Sequence, residues 1–362
     1  MSTLLTILHL ITLLALSERS QAFPDTIRHG YVNCSTCHVS PAGGGLLTSY
    51  GRSLSRELLS TWGYKGEEQP LHGAVTIPEK FNEHFALGGD IRYLNRRQQT
   101  KSRALKEDFL MQAQLRAGLL FEKIKFVAAV GRIENPRKSE KVVLDAPEYF
   151  ALWTPREEVH VRLGRFQPIY GLRLPDHGLW IRSDLGFAPW VERDTSEVIF
   201  EGESTTMSLA GFQSTSATSF TQQSTGYTGS IFQTLGEKTR LGLSALNSEG
   251  QGTRTKVLTT HAVLPFSEAF YALAEYSRIW NLTEVHDLGF SRLGYEAVKG
   301  LTVFAQGQLK VDRLGGQGTQ SKTGVGAQWL PRPHFEISAI FESLKSRQGD
   351  ASENYILFHY YL

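Results

Sequence analysis

From Phe81 to the last residue, apolar side chains recur at every second position, segment after segment. This alternation constrains the fold more than any other feature of the chain, because it assigns the two faces of each strand to two different environments. The clearest run is Phe109–Phe121. Its odd positions read Phe109, Met111, Ala113, Leu115, Ala117, Leu119 and Phe121, and its even positions include Gln112, Gln114, Arg116 and Gly118. Leu301, Val303, Ala305, Gly307, Leu309 and Val311 alternate with Thr302, Gln306, Gln308, Lys310 and Asp312. Phe335, Ile337, Ala339 and Phe341 alternate with Glu336, Ser338 and Glu342, and Val159, Val161 and Leu163 with His160 and Arg162.

The connections alternate as well. Short turns fall at 121–123, 154–157, 202–204, 235–238, 265–268, 296–300 and 331–334. Longer polar loops lie near 98–106, 135–146, 167–194, 214–226, 247–253, 279–286, 312–320 and 346–352. Short turns at one end and long loops at the other are the pattern of outer-membrane barrels. The sequence therefore predicts an all-β fold, an antiparallel outer-membrane barrel of about sixteen strands over residues 81–362. A large soluble β-sandwich or β-helix is the competing architecture, and it has no need of such regular turn lengths. The terminal "YILFHYYL" fits a closing strand, with Ile356, Phe358, Tyr360 and Leu362 alternating to the end. Leu362 stands where such strands usually carry Phe. A mean hydropathy of -0.24 excludes a conventional helical membrane protein, and a net charge of +2 gives no reason to expect a nucleic-acid partner.

The one long apolar run is Leu4–Leu16, followed by Ser20 and Ala22 at cleavage-site spacing. Residues 1–22 read as a secretory signal peptide, although no Lys or Arg precedes the apolar run. An N-terminal anchor is the alternative, but the run is short against the roughly 20 residues a spanning helix needs. Export places the only two cysteines, Cys34 and Cys37, in an oxidising compartment. A disulfide between them would close too small a loop to constrain the chain.

The sequence "CSTCH" is the attachment signature of a c-type haem. Cys34 and Cys37 would form the thioethers, and His38 would be the proximal iron ligand. A zinc site would want further paired Cys or His, and a thioredoxin motif a βαβ pattern; neither is visible. Residues 23–80 thus read as a small helical cap or plug carrying one covalent haem c. Its glycine-rich "SPAGGG" loop lets backbone approach a flat ligand closely. "LLTSYGRSLSRELLSTWG" reads as one amphipathic helix with a packing stripe of Leu47, Tyr50, Leu54, Leu58 and Trp62, ended by Gly63. Arg28, Arg52 and Arg56 could pair haem propionates, with solvent-facing charge as the simpler reading.

The distal ligand stays open between His29, which is near the motif, and His177, which lies in the longest loop; His72 and His84, Met111 and Met207, and a vacant sixth position also come into question. The longest loop, Gly164–Asp194, follows the fifth strand and carries Phe166, Tyr170, Arg173, Trp180, Arg182, Phe187, Trp190 and Arg193. So much apolar surface predicts that it packs inside the barrel.

Together, the signal peptide, the single "CSTCH", the adjacent "SPAGGG…YGR" and the alternating strands resemble the fused monohaem cytochrome–porins of bacterial outer membranes. The resemblance covers the mature chain at the level of architecture. It implies an outer-membrane location, with the cap on the periplasmic side or within the lumen. It implies electron transfer between an extracellular redox partner, Fe(II)/Fe(III) among the candidates, and a periplasmic c-type cytochrome. Some members are iron oxidases; they are often longer, and that leaves both the substrate and an enzymatic role open here. The other partners implied are outer-membrane lipid and, by analogy with sixteen-stranded porins, a trimer for which no residue gives a mark. Two further functions compete: a diffusion porin whose cap is a plug or redox-sensing gate, and a periplasmic or surface β-protein with a structural haem.

Overall fold

The computed structural model describes residues 24–362 except 30, 32–33, 70–72, 74–77, 79–80, 82, 134–147, 177, 188–190, 215–223, 251–252, 283 and 315–317. The signal-peptide reading of residues 1–22, His72, His177 and Trp190 therefore lie outside the described residues.

Among the described residues sixteen strands follow in order. The first eight are β1 (Phe85–Thr100), β2 (Ala104–Leu120), β3 (Ile124–Ile133), β4 (Tyr149–Arg156), β5 (Val159–Phe166), β6 (Arg193–Glu201), β7 (Thr205–Gln213) and β8 (Thr225–Leu235). The second eight are β9 (Thr239–Gly250), β10 (Thr253–Pro265), β11 (Phe270–Trp280), β12 (Val285–Val298), β13 (Leu301–Asp312), β14 (Thr319–Arg332), β15 (Phe335–Lys345) and β16 (Ala351–Tyr361). Each pairs antiparallel with its sequence neighbours, and β16 closes the barrel on β1 from Asp90↔Tyr361 to Thr100↔Ala351. The Leu362 amide donates to the Gly89 carbonyl at 2.9 Å, so the last residue seals the seam. Closure joins the last strand to the first, which removes the two end edges of the sheet.

The alternation works as the sequence predicts. Leu115, Trp153, Leu163, Leu209, Leu293 and Phe341 are exposed on the outer wall, and Gln112, His160, Arg162, Gln306, Ser338 and Glu342 are buried inside. Among the described residues no helix is long and apolar enough to cross a membrane; the strands form the apolar exterior.

Three local expectations are corrected. The polar stretch 98–106 is not a loop, because β1 and β2 continue through it and turn over three residues, with the Thr100 amide on the Arg103 carbonyl at 2.8 Å. Polar side chains that pair across the hairpin serve as well as apolar ones: Arg96 meets Glu107 at 3.1 Å and Glu353 at 2.5 Å. Second, the apolar face of Phe109–Phe121 is not continuous. The register slips where Arg92 pairs Gln112 and Tyr93 pairs Leu110, and Met111 turns inward against Leu94 and Leu357. A bulge of this kind flips the faces beyond it. Third, the single helix expected over 46–63 is shorter. Helix α3 (Ser49–Leu54) passes into a π turn over Ser55–Leu59 and stops there, with the Ser60 hydroxyl on the Ser55 carbonyl at 2.6 Å. Leu47 and Leu54 of the expected stripe are buried, while Tyr50 and Trp62 are exposed.

The lumen is filled from both ends. At the short-turn end the segment around α1 (Pro24–Ile27), α2 (Cys34–Cys37) and α3 enters the mouth. Arg28 pairs Glu296 at 2.5 Å and donates to the Glu268 carbonyl, while Thr61 and Trp62 amides bond the Leu330 and Pro331 carbonyls. From the other end the described residues of the long loop, 167–176, 178–187 and 191–192, with α4 (Trp180–Ser183), fold inward as expected. Tyr170 stacks on Phe187 at 4.5 Å, and both are buried with Leu172, Leu179 and Ile181 against inward residues of β7 and β9–β12.

Candidate functional site

The alternation of the wall is not strict, and its exceptions locate the site. A porin-type interior is polar. Here Ala86, Val127, Phe150 and Leu152 point inward and are buried with Val39, Leu46 and Phe166. Ile199 and Phe232 point inward to meet Ala42 of the plug and Ile169 of the loop. The wall has been made apolar where these two inserts press on it, so they pack as a core. At roughly 25 cal/mol per Å² of buried apolar surface, such clusters hold a segment firmly in place.

The hairpin that carries the cysteine motif is built by local hydrogen bonds. The His38 amide bonds the Cys34 carbonyl at 2.8 Å, the Thr48 amide bonds the Cys37 carbonyl at 2.9 Å, and Val39 pairs Leu46. His38 and Leu47 form an antiparallel bridge. Thr48 caps α3 by accepting from the Gly51 amide at 3.0 Å. Gly51 itself lies so close to Cys37 that a side chain there would strike the Cys37 carbonyl.

These bonds turn Cys34, Cys37 and His38 toward one cavity of about 440 Å³, within the roughly 300–1,000 Å³ typical of small-molecule and cofactor sites. It lies in the short-turn half of the barrel, between plug, wall and inward loop. Gly43, Gly44 and Gly45 line it with φ of 73, 72 and 65°. This left-handed run is open to glycine at little cost, and a Cβ at Gly43 would sit 3.3 Å from the Cys34 sulfur. The bare backbone forms a cradle beside the thiol.

Burial sets the protonation of the motif. It pushes the Cys34 thiol up against the pull of Arg240, and the Cys37 thiol up to about 11. It brings His38 down to about 4, helped by the Arg173 charge, while the Gly44 carbonyl works the other way. At neutral pH the site therefore holds two neutral thiols and a neutral imidazole, the form that ligates metal.

Charges of both signs surround it. Arg28, Arg92, Arg116, Arg173 and Arg240 all line the cavity. Arg116 is committed to Asp90 and Glu148, Arg28 to Glu296, and Arg173 donates to the Ala42 carbonyl. Arg240 lies over the Phe232 ring at 4.3 Å, and its Nε is buried without a hydrogen-bond partner. A free thiol pair, a neutral imidazole, a glycine cradle and a guanidinium with spare hydrogen-bonding capacity fit a haem with its carboxylates. Arg162 joins the inserts to the wall. It is 1% exposed, pairs Glu197 at 2.5 Å, donates to the Ser40 hydroxyl at 2.8 Å and to the Gln167 carbonyl at 3.2 Å, and stacks on Phe166 at 3.8 Å.

Of the residues singled out in the sequence, Cys34, Cys37, His38 and Arg28 line the cavity. Arg52 and Arg56 do not; Arg52 donates to the Leu47 carbonyl, and Arg56 pairs Glu57 and Glu68. His29 lies 3.9 Å from Glu296 and is not among the lining residues. His84 is exposed at the rim, bonded to the Leu120 carbonyl. Met207 faces outward and Met111 is in its own cluster. Arg240, His261 and Arg92 escaped the sequence reading, since each looks like an ordinary inward polar residue of a barrel strand.

No protein-family model matches this chain, and no curated protein matches it. Solved structures do. OprB of Pseudomonas putida is similar with a TM-score of 0.60 at 9% identity, over 78% of this chain and 96% of that one. The outer-membrane OmpT of Vibrio cholerae is similar with 0.58 at 9% identity, over 77% and 98%. The anion-selective porin of Comamonas acidovorans is similar with 0.58 at 10% identity, over 77% and 99%. At such identities the likeness establishes a shared porin-type barrel.

Proposed function

We propose that this chain is an outer-membrane barrel of porin type whose lumen is closed around one covalently held haem, and that it passes electrons between an extracellular redox partner and periplasmic cytochromes. The observation that carries the reading is the convergence of both cysteines and the adjacent histidine of "CSTCH" on one cavity lined by charges of both signs. A haem held there supplies one-electron chemistry, with a potential set by its axial ligands and burial. The chain's own residues would hold it: Cys34 and Cys37 by thioether bonds, His38 as a neutral ligand, Arg240 facing its carboxylates. The short-turn end is then periplasmic, the compartment into which an exported apo-chain is delivered. The extracellular partner, an iron-oxidising activity and a trimeric assembly belong to this proposal as open particulars.

The alternative is a diffusion channel plugged or gated by the N-terminal segment. The comparisons lean toward it, because the similar barrels include a channel and an anion-selective porin. Against free diffusion stands the packed apolar contact between plug, loop and wall, which resembles a core more than a latch.

Two measurements on the purified chain separate the readings. Its band should stain for covalent haem and shift on heating, and in planar bilayers it should show far less than open-porin conductance. An unstained band, or sustained porin-size conductance, overturns the electron-transfer reading. The cradle gives a finer test. Gly43→Ala should lower haem per barrel, because the new methyl crowds the Cys34 sulfur. Gly44→Ala bears the same backbone cost, about 1–2 kcal/mol, with nothing within 4 Å of the added carbon, and should load more fully. Equal loading in the two variants would show that the cradle has no steric role.

A further inference from the structure

The cavity that holds the cysteine motif has a second imidazole. We propose that His261, on β10, would supply a second protein ligand to the iron of a haem bound by Cys34, Cys37 and His38; this rests on the haem reading above. His261 lines the cavity, is 6% exposed, and its Nδ1 is buried with no hydrogen-bond partner. With Nδ1 covered by protein, Nε2 is the ring nitrogen left to reach a ligand. Its ring packs on Phe232 at 5.0 Å and lies across Gly242 of β9, where a side chain would collide with it. The wall has made room for this ring and fixed it, while leaving a nitrogen unmet. The same patch touches the plug, since Phe232 is buried with Ala42 and carries Arg240, whose charge acts on Cys34.

The other candidates are committed elsewhere. His359 also lines the cavity, but both of its nitrogens are engaged, with Asp90 at 3.0 Å and Glu336 at 3.4 Å. His160 bonds Thr154 and faces Glu201, and is not a lining residue. Both mature-chain methionines lie outside the cavity lining. Among the described residues, His261 is the cavity-lining imidazole besides His38 that has a buried ring nitrogen without a hydrogen-bond partner.

The test is spectroscopic and uses the full-length holoprotein. A pyridine haemochrome assay on the wild type first establishes covalent haem; its absence overturns both the haem reading and this inference. With haem present, the wild type should give a six-coordinate, low-spin absorption and electron paramagnetic resonance signature and should resist carbon monoxide. His261→Ala should retain covalent haem and heat-modifiable migration, lose the low-spin signature completely, bind carbon monoxide, and regain the low-spin spectrum on adding imidazole. His261→Met, which offers a thioether instead, should move the reduction potential upward while keeping six ligands. A His261→Ala protein that stays low-spin and closed to carbon monoxide overturns the inference. So does a wild type that is already high-spin, or loss of the low-spin signature in His177→Ala with His261→Ala unchanged. If His261→Ala does not form a barrel, the potential and spectrum of His261→Met decide: a spectrum identical to wild type overturns the assignment.

Discussion

Liposomes that carry the wild-type chain and enclose a redox dye should change the dye's oxidation state when an impermeant redox partner is added outside, and the Cys34→Ala, Cys37→Ala variant should lose this transfer entirely. The expected effect is all-or-none because the chain has no other cysteine. Removing both thiols removes every site for a thioether, while the sixteen-strand ladder contains neither residue. The barrel should therefore still insert and shift on heating. An apolar belt about 25 Å tall separates the two aqueous phases, and electron tunnelling falls exponentially with distance, so an empty barrel is no conductor of electrons. If the double variant transfers charge at the wild-type rate, the dye is being reached by diffusion through the pore, and the channel reading is correct.

The second large effect is expected at Arg162, where wall, plug and loop meet. Arg162→Ala leaves the Glu197 carboxylate, which is fully buried, without its guanidinium, although Ile169 and Ser208 still donate to it at 2.8 and 2.7 Å. Breaking a buried pair by removing one partner costs about 3–5 kcal/mol. The bonds to Ser40 and Gln167 are lost with it. The variant should unfold at lower temperature in the heat-modifiability assay, expose the plug and loop to protease, and raise bilayer conductance. Arg162→Met combined with Glu197→Gln removes both charges and should recover much of the stability. If Arg162→Ala matches wild type in all three assays, the inserts are held by apolar packing alone.

Much of this protein was legible in its sequence, and for a local reason. A strand shows its two faces at every second residue, so segments such as Leu301–Asp312 announce their bounds directly, and β13 has those bounds. The turns at 121–123, 202–204 and 235–238 fall between strands as read. The inward fold of the long loop was legible too, because its aromatic residues have no place in water. What failed were features that depend on a partner. The 98–106 stretch looked like loop because its residues are polar, but polarity does not prevent pairing with a polar neighbour. The bulge at Met111 and the π turn at Ser55–Leu59 each add one residue's worth of slack, which a periodic pattern hides.

The site divides the same way. By itself the sequence placed the pattern of Cys34, Cys37 and His38, read as a haem-attachment signature, at the front of a barrel-forming chain, because both signals reside in short-range spacing. Only the tertiary structure decided that this signature faces a cavity between plug, wall and loop. It decided that Phe150, Leu152 and Phe232 point inward to receive the plug. It also decided that Arg240 and His261, from strands far along the chain, line the same cavity as the cysteines. Closing a barrel brings distant strands together through the register of hydrogen bonds around the whole ring, and no local stretch of sequence records where that ring puts opposite walls.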